Sequence, residues 1–286
     1  MVDVLTVDVA PALCRNSGLV TQREQDILRR ASVVVVGVGG DGGLVAERLV
    51  RLGVGRIRLI DPGFFDVENL NRQYACSGET LGQSKAEVVA AKLRGIAPWA
   101  SVEAFPVGID VSNASELLEG FELIVDEAEF SVPRVAGAIY ARGRSLGIPV
   151  ISGVNVGFGA NVFAFNPRGM SFDRYLGIRD LDSPEAVEAA ARAWCPRIPR
   201  YVDFELVEAV MRGEAEVPAV SQSVAAVAAC VVQEAFNCLT GRQQLVWVPR
   251  YIEVDLLRRT TKIRRASRAS FMLSALRAKY NPMRVG

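Results

Sequence analysis

Blocks of apolar residues, broken by glycines and polar loops, organise the first half of the chain. Residues 33–36 are four consecutive valines. The run is too short for a buried helix and leads into glycine, so it predicts a strand covered on both faces of a parallel sheet. Residues 44–52 are apolar with Glu47, Arg48 and Arg51 at helical spacing, which predicts a helix, and residues 56–60 predict a second strand that ends at Asp61. A helix at 84–94, strands at 102–107 and 122–126, a helix at 133–146 and a strand at 149–152 continue the alternation of a doubly wound sheet. An amphipathic helix is expected at about 21–30, ahead of the first strand.

Beyond residue 152 the pattern changes. Residues 153–166 alternate apolar and polar, which predicts antiparallel strands appended to the parallel half. Residues 178–213 carry Pro184, Pro196 and Pro199 among short polar helices, a helical insertion expected to face substrate. A long apolar helix from about 220 to 239, stopped by Gly241, suits a core position or a dimer interface. Residues 247–248 and 251–254 are expected to close the sheet as a strand pair. The fold class is therefore α/β: a doubly wound, mostly parallel Rossmann-like sheet over about 31–166, with antiparallel strands appended and a helical, basic C-terminal extension. Residues 1–256 are expected as one domain and 257–286 as a tail.

The turn after the first strand reads Gly37-Val38-Gly39-Gly40-Asp41-Gly42-Gly43. Gly37 permits the turn, Gly39 lets backbone approach a phosphate, Gly42 lets helix and strand pack closely, and the helix start offers unpaired N–H groups to an anion. Asp61, at the end of the second strand, is placed to accept hydrogen bonds from ribose hydroxyls. Such a turn serves NAD, FAD, ATP or S-adenosylmethionine equally. The polar loop at 62–83 discriminates, because it carries Asn69 and Arg72 and leads to Lys85. Two cations at one phosphate site suit a triphosphate attacked at its α-phosphorus, where they offset developing negative charge. Asp41 is unusual beside phosphates; helix capping is the expected role, with an outer-sphere magnesium role as the alternative.

The GxGGxG order with Gly40 as its third glycine, the strand-terminal Asp61, Asn-Leu-Asn-Arg-Gln at 69–73 and Lys85 together resemble the adenylation domain of E1-like activating enzymes, the ThiF, MoeB and ubiquitin-activating superfamily, over roughly residues 15–166. The resemblance implies ATP- and magnesium-dependent adenylation of a carboxylate, often the C-terminal glycine of a ubiquitin-like protein; a sulfur-carrier protein or a peptide is the expected partner. It also implies that Asp61 holds the ribose and that Asn69, Arg72 and Lys85 hold the phosphates. Asp126-Glu127-Ala128-Glu129 stands where the family has Asp-x-x-Asp, so Asp126 and Glu129 are the expected metal residues, Glu129 with one methylene more than the family's aspartate. Arg15 matches an arginine that reaches across a dimer interface in relatives, which implies a homodimer. A nicotinamide-dependent oxidoreductase on the same glycine loop, and a non-catalytic E1-like partner subunit, are the alternatives.

Composition narrows these choices. The chain has 286 residues, 50% hydrophobic and 23% charged, enough for a large core. It has no histidine, which removes serine-histidine triads, histidine bases and almost every catalytic zinc site. Adenylation survives that loss, since a carboxylate nucleophile needs no base at neutral pH. The five cysteines, at 14, 76, 195, 230 and 238, form no CxxC pair, so neither a zinc site nor a disulfide framework is expected. Cys230 and Cys238 are expected in the core. Cys195, with Arg192, Arg197 and Arg200 nearby to lower its pKa, lies where some relatives place a thioester-forming cysteine, and Cys76 is a weaker candidate. No bilayer-spanning stretch or signal sequence is read, so a cytoplasmic location is expected. Charge is segregated: residues 257–286 hold nine Lys or Arg and no acid, leaving 24 basic and 32 acidic residues, a net of −8, in the rest. With Phe271, Met272, Leu273, Leu276 and Tyr280 giving it an amphipathic helical segment, this tail is expected to stay solvated or dock on the chain's own acidic body, with an acidic partner or nucleic acid as the alternatives.

Overall fold

The computed structural model describes residues 9–129, 131–212 and 214–280. Residues 281–286 of the expected tail and Gly213 of the expected insertion lie outside the described residues. The described residues open with α1 (Val9–Ala12) and α2 (Gln22–Arg30), the latter started by a capping box between Thr21 and Glu24. Then come β1 (Ser32–Val36), α3 (Gly40–Leu52), β2 (Arg56–Ile60), α4 (Lys85–Ile96), β3 (Ser101–Phe105), α5 (Ala114–Leu118), β4 (Leu123–Asp126), α6 (Pro133–Leu146) and β5 (Val150–Val156). A hairpin leads to β6 (Gly159–Phe165), followed by α7 (Phe172–Leu176), α8 (Pro184–Trp194), α9 (Phe204–Met211) and α10 (Ser221–Thr240). The last elements are β7 (Arg250–Asp255), β8 (Thr260–Arg265) and α11 (Arg268–Tyr280).

Among the described residues, eight strands form one sheet in the order β3-β2-β1-β4-β5-β6-β7-β8. The pairings from β3 to β5 are parallel and those from β5 to β8 antiparallel. The valine run explains the layering. Val33 and Val35 join the apolar layer with Val45 and Leu49 of α3, Val89 and Leu93 of α4 and Val227 and Val231 of α10, whereas Val34 and Val36 join the opposite layer with Leu117, Leu118 and Ile139 of α5 and α6. A strand buried on both faces has no polar alternation, which is why its sequence is a continuous β-branched run. Burying each such side chain contributes about 1.5–3 kcal/mol.

One expectation needs correction. The closing strand pair is β7 with β8, in register from Arg250 opposite Arg265 to Asp255 opposite Thr260, while Trp247 makes only an isolated bridge to Ala164. Residues expected as a tail thus supply the edge strand of the sheet. Its cations face the body's acids: Arg264 pairs with Glu253 at 2.6 Å, Arg258 with Asp255 at 3.7 Å, and Lys279 of α11 with Glu208 at 3.5 Å. Charged residues on an edge strand also discourage pairing with another sheet. The core position expected of the long apolar helix is met: α10, by length and composition alone apolar enough to cross a membrane, packs on α3, β5 and β6.

Candidate functional site

The sheet order reverses between β1 and β4, the switch point at which α/β folds open a crevice beyond their strand ends. Val36 pairs with Asp126, so the next residue of each strand, Gly37 and Glu127, meet at the floor of that crevice. Gly37 has φ +82°, and a Cβ there would lie 2.2 Å from the Glu127 carbonyl oxygen. A Cβ on Gly42 would lie 1.8 Å from the Gly37 carbonyl oxygen. These two positions admit only glycine, the first for its positive φ and its close approach to the backbone after β4, the second for helix-to-turn packing. Asp61 braces the turn: Val38 N–H donates to its Oδ2 at 2.8 Å and Gly63 N–H to its Oδ1 at 2.7 Å. Each carboxylate oxygen keeps a lone pair for a further donor.

The crevice is a cavity of about 460 Å³, and Gly37, Gly39, Gly40, Asp61, Arg72, Lys85 and Glu129 line it, gathered from segments that span almost a hundred residues. Lys85 starts α4 directly after the Ser84 cap, whose Oγ accepts from Glu87 N–H at 3.4 Å. Arg72 is steadied by Nη1 bonds to the Glu68 carbonyl and to Asn71 Oδ1, both 2.9 Å. The remaining expected residues stand apart. Gly42 lies beneath the turn. Asn69 is buried and caps the short 3-10 turn Val67–Asn69, its Oδ1 accepting from Asp66 N–H at 3.1 Å, and it does not line the crevice. Asp126 is buried behind it, accepting from Ala128 N–H at 3.2 Å, and burial pushes its carboxyl up to about 6. Arg15 is exposed on the 3-10 turn Cys14–Asn16, away from this lining.

Among the lining residues that escaped the sequence reading, Gln73, Glu127, Asn155 and Glu216 carry polar side chains. Asn155 of β5 donates from Nδ2 to Asp41 Oδ2 at 2.9 Å, although the two are 114 residues apart. Asp41 stands in the first turn of α3, but among the described residues its carboxylate accepts no helix N–H, because Oδ2 is taken by Asn155. Asp41 Oδ1, Asn155 Oδ1 and Gln73 Oε1 are instead buried without a hydrogen-bond partner among the described residues. Burial pushes Asp41 up to about 7 against the opposing pull of the Asn155 bond and the Arg72 charge. Glu127 is pushed well above the ordinary carboxylate range by burial first and by the charges of Asp41 and Asp126 next, while Gly153 N–H donates to its Oε1 at 3.1 Å. Two carboxyls that share a desolvated floor cannot both ionise cheaply, so this floor holds a proton or a cation at neutral pH. Gln73 was within reach of the sequence reading, since it follows Arg72 in the same motif. Nothing in the local pattern marked Asn155.

Cys195 lies in a different place, on an apolar cavity of about 110 Å³ beside the crevice. The expected lowering of its pKa is reversed: burial pushes the thiol up to about 12, and Sγ donates to the Arg197 carbonyl at 3.5 Å. Two of the arginines expected to activate it have acids of their own, Arg192 pairing with Glu188 and Arg197 with Glu253 at 3.9 Å. Cys76 is likewise raised, by desolvation, and its thiol donates to the Asp66 carbonyl at 3.6 Å. Cys230 and Cys238 pack against the core as expected.

Comparison with known proteins bears on this geometry. The pattern that defines the ThiF family matches residues 13–271. The chain is 37% identical over 142 residues to the sulfur carrier protein adenylyltransferase of Thermus thermophilus, covering 50% of this chain and 52% of that protein. It is 34% identical over 130 residues to the SAMP-activating enzyme E1 of Haloferax volcanii, covering 41% and 48%. With the tRNA threonylcarbamoyladenosine dehydratase of Escherichia coli the identity is 33% over 123 residues, covering 43% and 45%. The chain thus spans about half the length of the curated relatives it matches. Among solved structures, PaaA superposes with a TM-score of 0.66 at 18% identity, over 93% of this chain and 76% of that one. E. coli MccB with ATP superposes with a TM-score of 0.65 at 18% identity, over 86% and 67%. At such identity the two structures share the fold.

Proposed function

Because the chain belongs to the ThiF family, we propose that it is an ATP-dependent adenylyltransferase that activates a carboxylate as an acyl-adenylate and releases pyrophosphate. The observation that carries this reading is the convergence of Gly37, Gly39, Gly40, Asp61, Arg72 and Lys85 on one crevice at the switch point. In this reading the backbone of Gly39 and Gly40 and the start of α3 receive the phosphates, and Asp61 accepts from the ribose with its remaining lone pairs. A carboxylate oxygen of the substrate attacks the α-phosphorus, and the bond from that phosphorus to the bridging oxygen of pyrophosphate breaks. Arg72 and Lys85 offset the charge that builds on the phosphoryl oxygens and the leaving group. No side chain has to remove a proton, which agrees with a chain that has no histidine.

The crevice fits a magnesium ion. Among the described residues no three acidic or sulfur side chains form a complete cage, but magnesium bound with a nucleotide needs only one or two carboxylates beside the phosphates. Asp41 Oδ1, buried and unpartnered, and the neighbouring Glu127 would hold it, with Glu129 on the same crevice. When bound, the ion supplies neutralising charge at the phosphates. Arg15 serves in this reading as a finger toward a partner copy's phosphates in a homodimer. The name of the Thermus thermophilus relative supports a sulfur-carrier protein as one source of the carboxylate; a ubiquitin-like protein or a peptide is the further reading that the family resemblance implies.

The test is carboxylate-dependent exchange of labelled pyrophosphate into ATP. Arg72→Ala is expected to lower the exchange rate by about 100-fold or more with the melting temperature unchanged. Exchange that survives the substitution, or turnover of a reduced nicotinamide in its place, would overturn the proposal.

A further inference from the structure

The crevice and the apolar cavity are joined. Val154, Asn155 and Val217 line both. Beyond them the cavity is walled by Trp194, Ile198, Val202, Leu206, Val210 and Phe271. Apolar cavities of about 150 Å³ stay dry and take a benzene ring, so one of about 110 Å³ matches a branched aliphatic group of roughly four carbons. At the junction, the bond to Asp41 at 2.9 Å fixes the Asn155 amide with Nδ2 toward the carboxyl. Its Oδ1 is left buried without a partner among the described residues. Leaving a buried acceptor unpaired costs stability, which a ligand N–H delivered to it would recover.

We propose that this cavity is the specificity pocket for the substrate: it takes the branched aliphatic side chain of a C-terminal peptide residue whose carboxylate enters the crevice, and Asn155 Oδ1 accepts the N–H of that residue. The assignment rests on the adenylation reading of the crevice. It narrows that reading, because a terminal glycine would leave the cavity empty and forfeit the contacts its lining offers. It also gives Cys195 a place as pocket wall, consistent with a thiol held protonated by burial.

The experiment compares two N-acetylated hexapeptides that differ only in ending with leucine or glycine, together with isovalerate, in pyrophosphate exchange by the full chain with magnesium and ATP. Binding of the same three compounds is measured in parallel by calorimetry. The leucine-ended peptide is expected to exceed the glycine-ended one about tenfold or more in kcat/KM and in affinity. Isovalerate, which lacks the N–H, is expected to fall below the leucine-ended peptide by a similar factor. Equal or better exchange with the glycine-ended peptide overturns the pocket assignment and leaves the adenylation reading standing. Preferential binding of the leucine-ended peptide with no exchange overturns adenylation and supports the pocket. Isovalerate matching the leucine-ended peptide overturns the role of Asn155 and makes a free branched acid the substrate. Ala191→Phe, on α8 in the cavity wall, is expected to bring the leucine-to-glycine ratio close to one. An unchanged ratio in a variant that melts cooperatively overturns the proposal. If the variant does not fold, the wild-type series decides alone.

Discussion

The two cavities that share Asn155 are built in opposite ways. The polar crevice is made of backbone turns and a few charged side chains from the parallel half, most of them between Val36 and Val135. Its acids are crowded and incompletely satisfied, with Asp41 Oδ1 and Gln73 Oε1 buried and unpartnered among the described residues. The apolar cavity draws on β5, α8, α9 and α11, over residues from Val154 to Phe271. The difference teaches that binding charge requires unmet polar groups held by a rigid turn, whereas binding an apolar group requires only a gap between packed elements. The first arrangement constrains individual residues and the second constrains volume.

That contrast is breakable first at its most constrained atom. Gly42→Ala places a methyl against the Gly37 carbonyl, 1.8 Å from the ideal Cβ position. It is expected to cost about 2–3 kcal/mol in urea unfolding. Val210→Ala, in the wall of a cavity that is already hollow, is expected to cost about 1 kcal/mol or less. Equal costs would remove the distinction between the two regions.

A smaller effect is expected from pH. Asp41 has its carboxyl pushed up to about 7 in the folded chain, from 3.8. Between these values the folded chain holds a proton that the unfolded chain has lost. Stability is therefore lost as pH rises through this window, and the loss is complete above about 7. Asp41→Asn is expected to raise the melting temperature by about 3–6 °C more at pH 8 than at pH 5. Part of the slope should persist, since Glu127 shifts in the same direction. A variant with the same pH slope as the parent would show that Asp41 does not carry a trapped proton.

The smallest perturbation is chemical. Iodoacetamide at pH 8 is expected to label exposed Cys14 about tenfold faster, or more, than Cys195, whose thiol is buried and raised to about 12. Mass spectrometry of the digested chain reads the order. Faster labelling of Cys195 would make its surroundings polar and erase the contrast with the crevice.

Much of the crevice was legible because its requirements are local. Strands β1 and β2, the helix after the glycine turn, and the positions of Asp61, Arg72 and Lys85 all follow from a continuous stretch in which period, glycine spacing and strand ends agree. The hairpin of β5 and β6 was legible from its alternation. Asn69 was read as a phosphate ligand and caps a turn, because an asparagine side chain serves a backbone N–H as readily as a ligand. The strand β8 was missed since its sequence, Thr260–Arg265, is mostly polar, and an exposed edge strand needs no apolar face. Arginine near Cys195 suggested activation, but spacing does not reveal that the thiol is buried and that Arg192 and Arg197 are paired elsewhere.

What the chain's sequence determined by itself is the parallel core and the glycine turn, because hydrophobic periodicity and steric exclusion at Gly37 and Gly42 act between near neighbours. What only the tertiary structure decided is the meeting of Asp41, Glu127 and Asn155, the protonation of Cys195 and the joining of the two cavities. Those depend on desolvation and on contacts between residues as far apart as 114 positions, and burial is a property of the whole packed molecule that no local pattern encodes.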